Sequence, residues 1–340
     1  MSSGWPDNRH QPTISHSSLA KFLECDRAYA LQYHHSVISD VSKRFGHKRE
    51  ARLQPLNCFP GSIFHDTVQD ALLTYQKSGA YPTDFMAIAR NITREYISFS
   101  REWVADTKQY PILGGLHRYW PDHPFAQPVE PFYYEGDFPK DYRAKIKGKL
   151  ERWFDRFFAL APDLPFSDVP PKNWLFPKQL GKKAPWFVHN NKFAVYAAFD
   201  FLTRVGDQIT IYDWKTGNRQ RGESAVADQL ITYAAFAISQ WNADPESIKL
   251  FAVWVDDGSV QEVECDKWEI RRLEEKWEKY QSDWSARLNA ANGSGEKLFD
   301  LFPMTSNLRT CSRCVFRTCE GSGRVRPNVY PIEEIDFWDP

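Results

Sequence analysis

"FAVYAAFDFLTRVGDQITIYDWKTG", residues 193–217, decides the fold. Two runs rich in β-branched and aromatic residues flank a turn at Val205-Gly206-Asp207, which predicts a β-hairpin. Side chains alternate along a strand, so Ile209, Ile211, Asp213 and Lys215 share one face and Thr210, Tyr212 and Trp214 the other. Asp213 and Lys215 therefore project together where the second arm leaves the sheet. In the first arm, Asp200 interrupts the apolar run "AVYAAFDFL", where a carboxylate is costly unless paired or bound to a cation. Pairing of the two arms lets the Asp200 and Asp213 carboxylates converge. Two carboxylates with open water positions make a hard oxygen site suited to Mg2+ or Mn2+. Lys215 beside them is placed to position or activate a water, or to stabilise charge growing on a phosphoryl oxygen. Read alone, the same residues also describe a hairpin with surface ion pairs.

Downstream, "ESAVADQLITYAAFAISQW" predicts a helix whose Gln229 and Tyr233, at i and i+4, share one face. Their polar tips suit ordering the lysine or a phosphate, or an ordinary half-buried polar pair. "SIKLFAVWVDDGSVQEVEC" is a second strand pair turning at Asp256-Asp257-Gly258, followed by a charged helix over about 266–290. Upstream, "SHSSLAKFLECDRAYALQYHH" predicts one helix capped by Ser15 or Ser17. A second helix runs from Gly61 to Gly79 and carries His65 among apolar residues, as a core histidine or a ligand. Further helices are expected over 84–106 and 141–160, with an irregular stretch over 107–139. Helices, hairpin, helix, strands and helix in that order predict an α/β fold with a mixed sheet and helices on both faces.

Composition narrows the classes. Hydrophobic content of 42% and charged content of 26% over 340 residues describe a globular chain of one large or two modest domains. A net charge of −1 does not mark a nucleic-acid binder, so local patches decide. The basic stretch 43–52, with Arg44 and Arg49, is one such patch. Residues 172–192 are another, with Lys172, Lys178, Lys182, Lys183 and Lys192 interleaved with Trp174, Phe176, Trp186 and Phe187. Lysines among aromatics suit phosphate neutralisation and base stacking, or a solvated loop whose aromatics fill core. No secretory signal, apolar span or P-loop is present, which favours a cytoplasmic chain without its own motor.

Taken jointly, these motifs resemble the RecB-like branch of the PD-(D/E)XK nucleases. The strand Asp falls on Asp200, the D/E-x-K motif on Asp213 and Lys215, Q-x-x-x-Y on Gln229 and Tyr233, and G-x-x-x-H on Gly61 and His65. The resemblance implies a restriction-endonuclease-like core. It implies that His65, Asp200, Asp213 and the Trp214 carbonyl hold a divalent metal while Lys215 assists hydrolysis. It covers residues 15–75 and 193–320, and no family motif is legible between them.

"CSRCVFRTC" holds Cys311, Cys314 and Cys319, a C-x2-C-x4-C cluster that fits a metal or iron–sulfur group better than disulfides. A fourth ligand is needed, and Cys25 is the best candidate. Iron–sulfur RecB-like nucleases, among them CRISPR-adaptation exonucleases and the nuclease module of AddB, are similar. They carry one Cys in an early S-x-x-F-x-x-C-x-R helix and three near the C-terminus, here matched with small shifts by Ser18, Phe22, Cys25 and Arg27. The resemblance implies a [4Fe–4S] cluster; the last spacing, four rather than the frequent five, keeps Zn2+ as the alternative. Cys58 and Cys265 fit neither pattern and are expected as buried thiols.

The expected plan is a flexible lead (1–13), a helical and loop-rich portion (14–192), a catalytic core (193–307), the cysteine cluster (308–326) and an acidic tail (327–340). The expected function is a Mg2+- or Mn2+-dependent deoxyribonuclease, an exonuclease on single strands or DNA ends, in repair, CRISPR adaptation or phage defence. A helicase or other subunit on a separate chain is the expected partner. The alternatives are a non-catalytic DNA-binding or scaffold subunit of the same fold and a zinc-stapled interaction protein.

Overall fold

The computed structural model describes residues 14–33, 53–109, 127–177, 179–180, 186–190, 192–294, 301–312, 314–317 and 319. In chain order the elements begin with β1 (Ile14–Ser15), α1 (His16–Glu24), α2 (Asp26–Tyr33), α3 (Phe59–Ser78), α4 (Phe85–Gln109), α5 (Glu130–Tyr134) and α6 (Tyr142–Leu160). They continue with β2 (Trp174–Leu175), β3 (Trp186–His189), β4 (Phe193–Tyr196), β5 (Phe201–Val205), β6 (Gln208–Lys215) and α7 (Arg219–Trp241). The remaining elements are β7 (Ile248–Trp254), β8 (Ser259–Val263), α8 (Lys267–Ser294) and α9 (Leu308–Ser312). Two compact units form, each from separate chain segments. One comprises Met1–Ala20, Val68–Thr83 and Arg152–Ser294; the other comprises Lys21–Thr67, Asp84–Glu151 and Gly295–Pro340.

The first unit carries both sheets, a five-stranded one in the order β2-β5-β6-β7-β8 and a three-stranded one in the order β1-β4-β3. β6 and β7 run parallel while their other neighbours are antiparallel, so the expected mixed sheet is present. The β5–β6 hairpin closes through Gly206-Asp207, with Val205 opposite Gln208 and Gly206 at φ +60. Positive φ at the first central residue is the II′ pattern, which matches strand twist and suits glycine.

One expectation is corrected at the opening stretch. "FAVYAAFDFLTR" is not a single arm: β4 ends at Tyr196 in the small sheet and β5 begins at Phe201 in the large one. Asp200 therefore sits in the bend where the chain changes sheets. There its Oδ2 accepts the Trp214 backbone N–H at 2.7 Å, beyond the last ladder pair, Phe201 with Tyr212. The burial cost read from the sequence is met by that hydrogen bond.

Alternation along β6 is realised as predicted. Tyr212 and Trp214 enter an aromatic layer with Phe201, Phe166, Trp174 and Phe157, each at most 2% exposed. Burying each ring stabilises by about 1.5–3 kcal/mol, with roughly another 0.5–1.5 for each well-oriented pair. The opposite face meets α7, which packs on β6 and β7 and buries Leu230, Tyr233 and Ala234. Asn242 in the left-handed region ends α7, its N–H donating to the Ile238 carbonyl at 2.8 Å.

The same layer resolves part of the 172–192 patch. Trp174, Phe176 and Phe187 are core residues rather than a stacking platform. Lys172 is exposed, and Lys192 is exposed and pairs with Glu278 at 2.9 Å. Lys178, Lys182, Lys183, Arg44 and Arg49 lie outside the described residues.

The second unit is helical. Phe59, Phe64, Trp103 and Phe132 anchor its core, and Phe59 stacks on Phe138 with centroids 5.5 Å apart. The early segment, expected as one helix, breaks at Cys25 into α1 and α2, though Cys25 N–H still donates to the Lys21 carbonyl. Cys58 is exposed and Cys265 half-buried, so neither is a fully buried thiol. No helix among the described residues is long and apolar enough to cross a membrane.

Candidate active site

β6 delivers Asp213 and Lys215 to the same face at its C-terminal end, and α7 follows after a three-residue connection, Thr216-Gly217-Asn218. That short return lays the first turns of α7 over the strand end. Asp213, 3% exposed, forms an ion pair with Lys215 Nζ through Oδ2. Its Oδ1 accepts from Tyr233 OH at 3.2 Å and from Gln229 Nε2 at 3.5 Å. Gln229 Oε1 accepts from Lys215 Nζ at 2.5 Å, and Gln229 Nε2 also reaches Tyr233 OH at 2.5 Å. The i and i+4 pair predicted on one helix face thus closes a ring of contacts around one acid and one lysine.

Asp200 joins this group through the backbone, accepting from Trp214 N–H. The electrostatics show how concentrated the negative charge is. Burial first, and then the charges of Asp213 and Asp200, push the Tyr233 phenol well above its usual range. Tyr233 therefore stays a proton donor to Asp213 at any working pH.

Two residues not singled out in the sequence stand beside the cluster. His16, first residue of α1, has its pKa lowered to about 4 by burial and by the nearby Lys215 ammonium. Asp228, one residue before Gln229, is held by α8: Oδ1 accepts from Arg272 at 2.7 Å and Oδ2 from Lys276 at 2.6 Å. Burial raises the Asp228 carboxyl, but the bonds from Lys276 and Arg272 outweigh it and hold it below its usual range. These ion pairs fix the rotation of α7 at the turn that supplies Gln229. Sequence signals were weak here, because Arg272 and Lys276 look like any charged helix face.

His65 lies half-buried on α3, in the part of that helix belonging to the second unit, edge-on to Phe64. The two carboxylates and the lysine belong to the first unit. Among the described residues no group of three or more His, Cys, Asp or Glu side chains is arranged to hold a metal ion. Asp213 and Asp200 nonetheless fit a hard cation such as Mg2+, which takes one or two carboxylates and keeps several waters. Asp213 stands at the end of β6 and Asp200 is bonded to the neighbouring Trp214 N–H, so both carboxylates sit at one strand end.

In the second unit, Cys25, Cys311, Cys314 and Cys319 line one small cavity with Ala28, Leu31, Met304, Thr310 and Phe316. Burial pushes the Cys314 thiol up to about 11. The segment that carries these cysteines is anchored independently of the thiols. Tyr134 OH donates to the Val315 carbonyl at 2.8 Å, and Arg317 pairs with Glu130 and Glu135 while lying 4.4 Å over the Tyr134 ring. Thiols are the ligands that a soft metal or an iron–sulfur group takes, but among the described residues these four share the cavity without being arranged to hold a metal ion.

Comparison with known proteins gives the family. The family model of the PD-(D/E)XK nuclease superfamily matches residues 13–319. An Acanthamoeba polyphaga mimivirus protein, named as an alpha/beta hydrolase, is 26% identical over 121 residues, which is 33% of this chain and 44% of that protein. The chain thus matches less than half of that relative's length. No solved structure matches. With a model that spans the acid–lysine pair and its glutamine and tyrosine, the chain belongs to the PD-(D/E)XK nuclease superfamily.

Proposed function

We propose that this protein is a divalent-metal-dependent deoxyribonuclease of the RecB-like branch, acting as an exonuclease on single-stranded DNA or DNA ends. The observation that carries the reading is the closed network of Asp213, Lys215, Gln229 and Tyr233 at the end of β6, with Asp200 bonded to the intervening backbone. Asp200, Asp213 and the Trp214 carbonyl would hold Mg2+ or Mn2+. Such an ion lowers the pKa of a bound water and neutralises charge on the phosphoryl oxygens.

The protein's own groups divide the remaining work. Asp213 and Gln229 take two of the three Lys215 ammonium protons, leaving one for a phosphate oxygen or the attacking water. Tyr233 and Gln229 hold the Asp213 carboxylate in one orientation. Hydrolysis forms one P–O bond from water and breaks one ester P–O bond, the departing oxygen leaving with a proton. Exposed Lys172 and the basic segments 43–52 and 178–183 are the strand path in this reading. Cys25, Cys311, Cys314 and Cys319 would hold a [4Fe–4S] cluster with a structural role, supported by their shared cavity. Repair, CRISPR adaptation or phage defence is the setting, in the cytoplasm, with a helicase on a separate chain supplying unwinding. The likeness to a protein named as an alpha/beta hydrolase adds no rival reading, since the sequence holds no G-x-S-x-G nucleophile turn.

The test is end-labelled single-stranded DNA incubated with the purified protein and Mg2+ or Mn2+. Degradation is expected with either metal and is expected to vanish with EDTA, Asp213→Ala or Lys215→Ala. Cleavage that survives those substitutions refutes the assignment.

A further inference from the structure

We propose that His16 is a substrate-positioning residue of this site, its imidazole N–H donating to a phosphodiester oxygen of the bound strand beside Lys215. The inference rests on the nuclease reading above and extends it to a residue outside the acid, lysine, glutamine and tyrosine motifs.

Backbone geometry places His16. β1 runs parallel to β4 with Ser15 opposite Tyr196, so the chain enters α1 alongside the Ala197–Asp200 bend that supplies Asp200. The first turn of α1 is pinned by a reciprocal cap: Ser18 N–H donates to Ser15 Oγ at 3.0 Å and Ser15 N–H to Ser18 Oγ at 2.9 Å. His16, between these serines, is held with little backbone freedom.

The surroundings of the ring then define its chemistry. Lys215 on β6, Asp228 on α7 and Lys276 on α8 are the charged groups that act on it. Asp228 is the one anion among them, and both its oxygens are engaged by Arg272 and Lys276. Burial and the Lys215 charge thus keep the imidazole unprotonated at neutral pH. A neutral ring offers one N–H and one acceptor nitrogen. Among the described residues, none hydrogen-bonds to the His16 ring. A half-buried imidazole without a hydrogen-bond partner among the described residues, and within the field of Lys215, is matched by the acceptor that the lysine also serves, the phosphodiester.

The experiment measures kcat and KM of the full chain on end-labelled single-stranded DNA with Mg2+, for wild type, His16→Phe and His16→Gln, together with Tm. His16→Phe keeps an aromatic ring without the N–H and is expected to lower kcat/KM about tenfold, mainly through KM, at unchanged Tm, the loss of one hydrogen bond. His16→Gln restores a donor and is expected within about threefold of wild type. If His16→Phe does not fold, His16→Ala replaces it with the same expectation. A His16→Phe protein as active as wild type, or a folded His16→Gln protein as impaired as His16→Phe, overturns the proposal and leaves the nuclease reading standing. A wild-type protein that leaves DNA intact overturns both.

Discussion

Replacing Gln229 by Leu tests whether the network around Asp213 is machinery or packing. The side chain is half-buried and makes three contacts: to Lys215 Nζ at 2.5 Å, to Tyr233 OH at 2.5 Å and to Asp213 Oδ1 at 3.5 Å. The first is charge-assisted, and such bonds contribute about 1.5–3 kcal/mol. The last is at the edge of hydrogen-bonding distance and contributes little. Leucine keeps most of the volume and the helix propensity, so stability should move little. Lys215 would keep Asp213 alone as its anchor, and its ammonium would point less reliably at the phosphate. If about 2 kcal/mol of that orientation acts in the transition state, kcat falls roughly thirtyfold. Single-turnover cleavage at saturating DNA and Mg2+, with Tm measured in parallel, is the assay. A Gln229→Leu protein with wild-type Tm and a rate within about threefold of wild type would show that the amide only fills space.

Tyr233→Phe removes one donor to Asp213 at 3.2 Å, and a roughly three- to tenfold drop in kcat at unchanged KM is expected. Cys314→Ala is expected to abolish the visible absorbance of a brown preparation and to lower Tm; a staple from Cys25 to Cys311 would contribute roughly 5–6 kcal/mol by loop-closure arithmetic, less any strain. Undiminished absorbance in a stable Cys314→Ala protein sinks the cluster assignment. The His16 pKa, lowered from 6.5 to about 4, sets a pH trend. The unfolded chain binds more protons between those values, so this contribution is full above about 6.5 and is lost as pH falls towards 4, up to about 3 kcal/mol. Denaturant midpoints of wild type should fall over that window more steeply than those of His16→Gln; parallel slopes would refute the shift. Asp228→Ala removes the carboxylate that pairs with both Arg272 and Lys276, leaving Arg272 with Glu269, and a loss of about 1–3 kcal/mol in stability is expected by urea titration.

What could be read from the sequence follows from the range of each physical signal. Strand alternation is local, so Asp213 and Lys215 on one face and Tyr212 and Trp214 on the other were legible from a few residues. The Gly206 turn and the Gln229–Tyr233 pair are likewise properties of short windows. The change of sheet at Asp200 was not legible, because "FAVYAAFDFL" is apolar on both sides of Asp200 and a run that crosses between two sheets looks like one strand. The break at Cys25 was hidden because Cys25 and Tyr29 keep helical partners, Lys21 and Cys25, while the Arg27 N–H turns to the Pro303 carbonyl, far away in sequence.

The same reasoning separates the lysine–aromatic stretch from its first appearance. Aromatics among lysines describe a base-stacking surface only if the rings face solvent. Trp174 pairs with Thr203 on the edge of the large sheet and turns its ring against Phe166 and Phe201, which takes it out of reach of any nucleotide. Long-range pairing, invisible in a linear reading, decided that assignment. His16 and Asp228 belong to this class too. Each owes its position to a neighbour far away in sequence, Tyr196 for the strand leading to His16 and Arg272 with Lys276 for Asp228. Motif spacing therefore finds the groups that a single hairpin and helix bring together, while the residues that orient them emerge only when the sheets and helices are assembled.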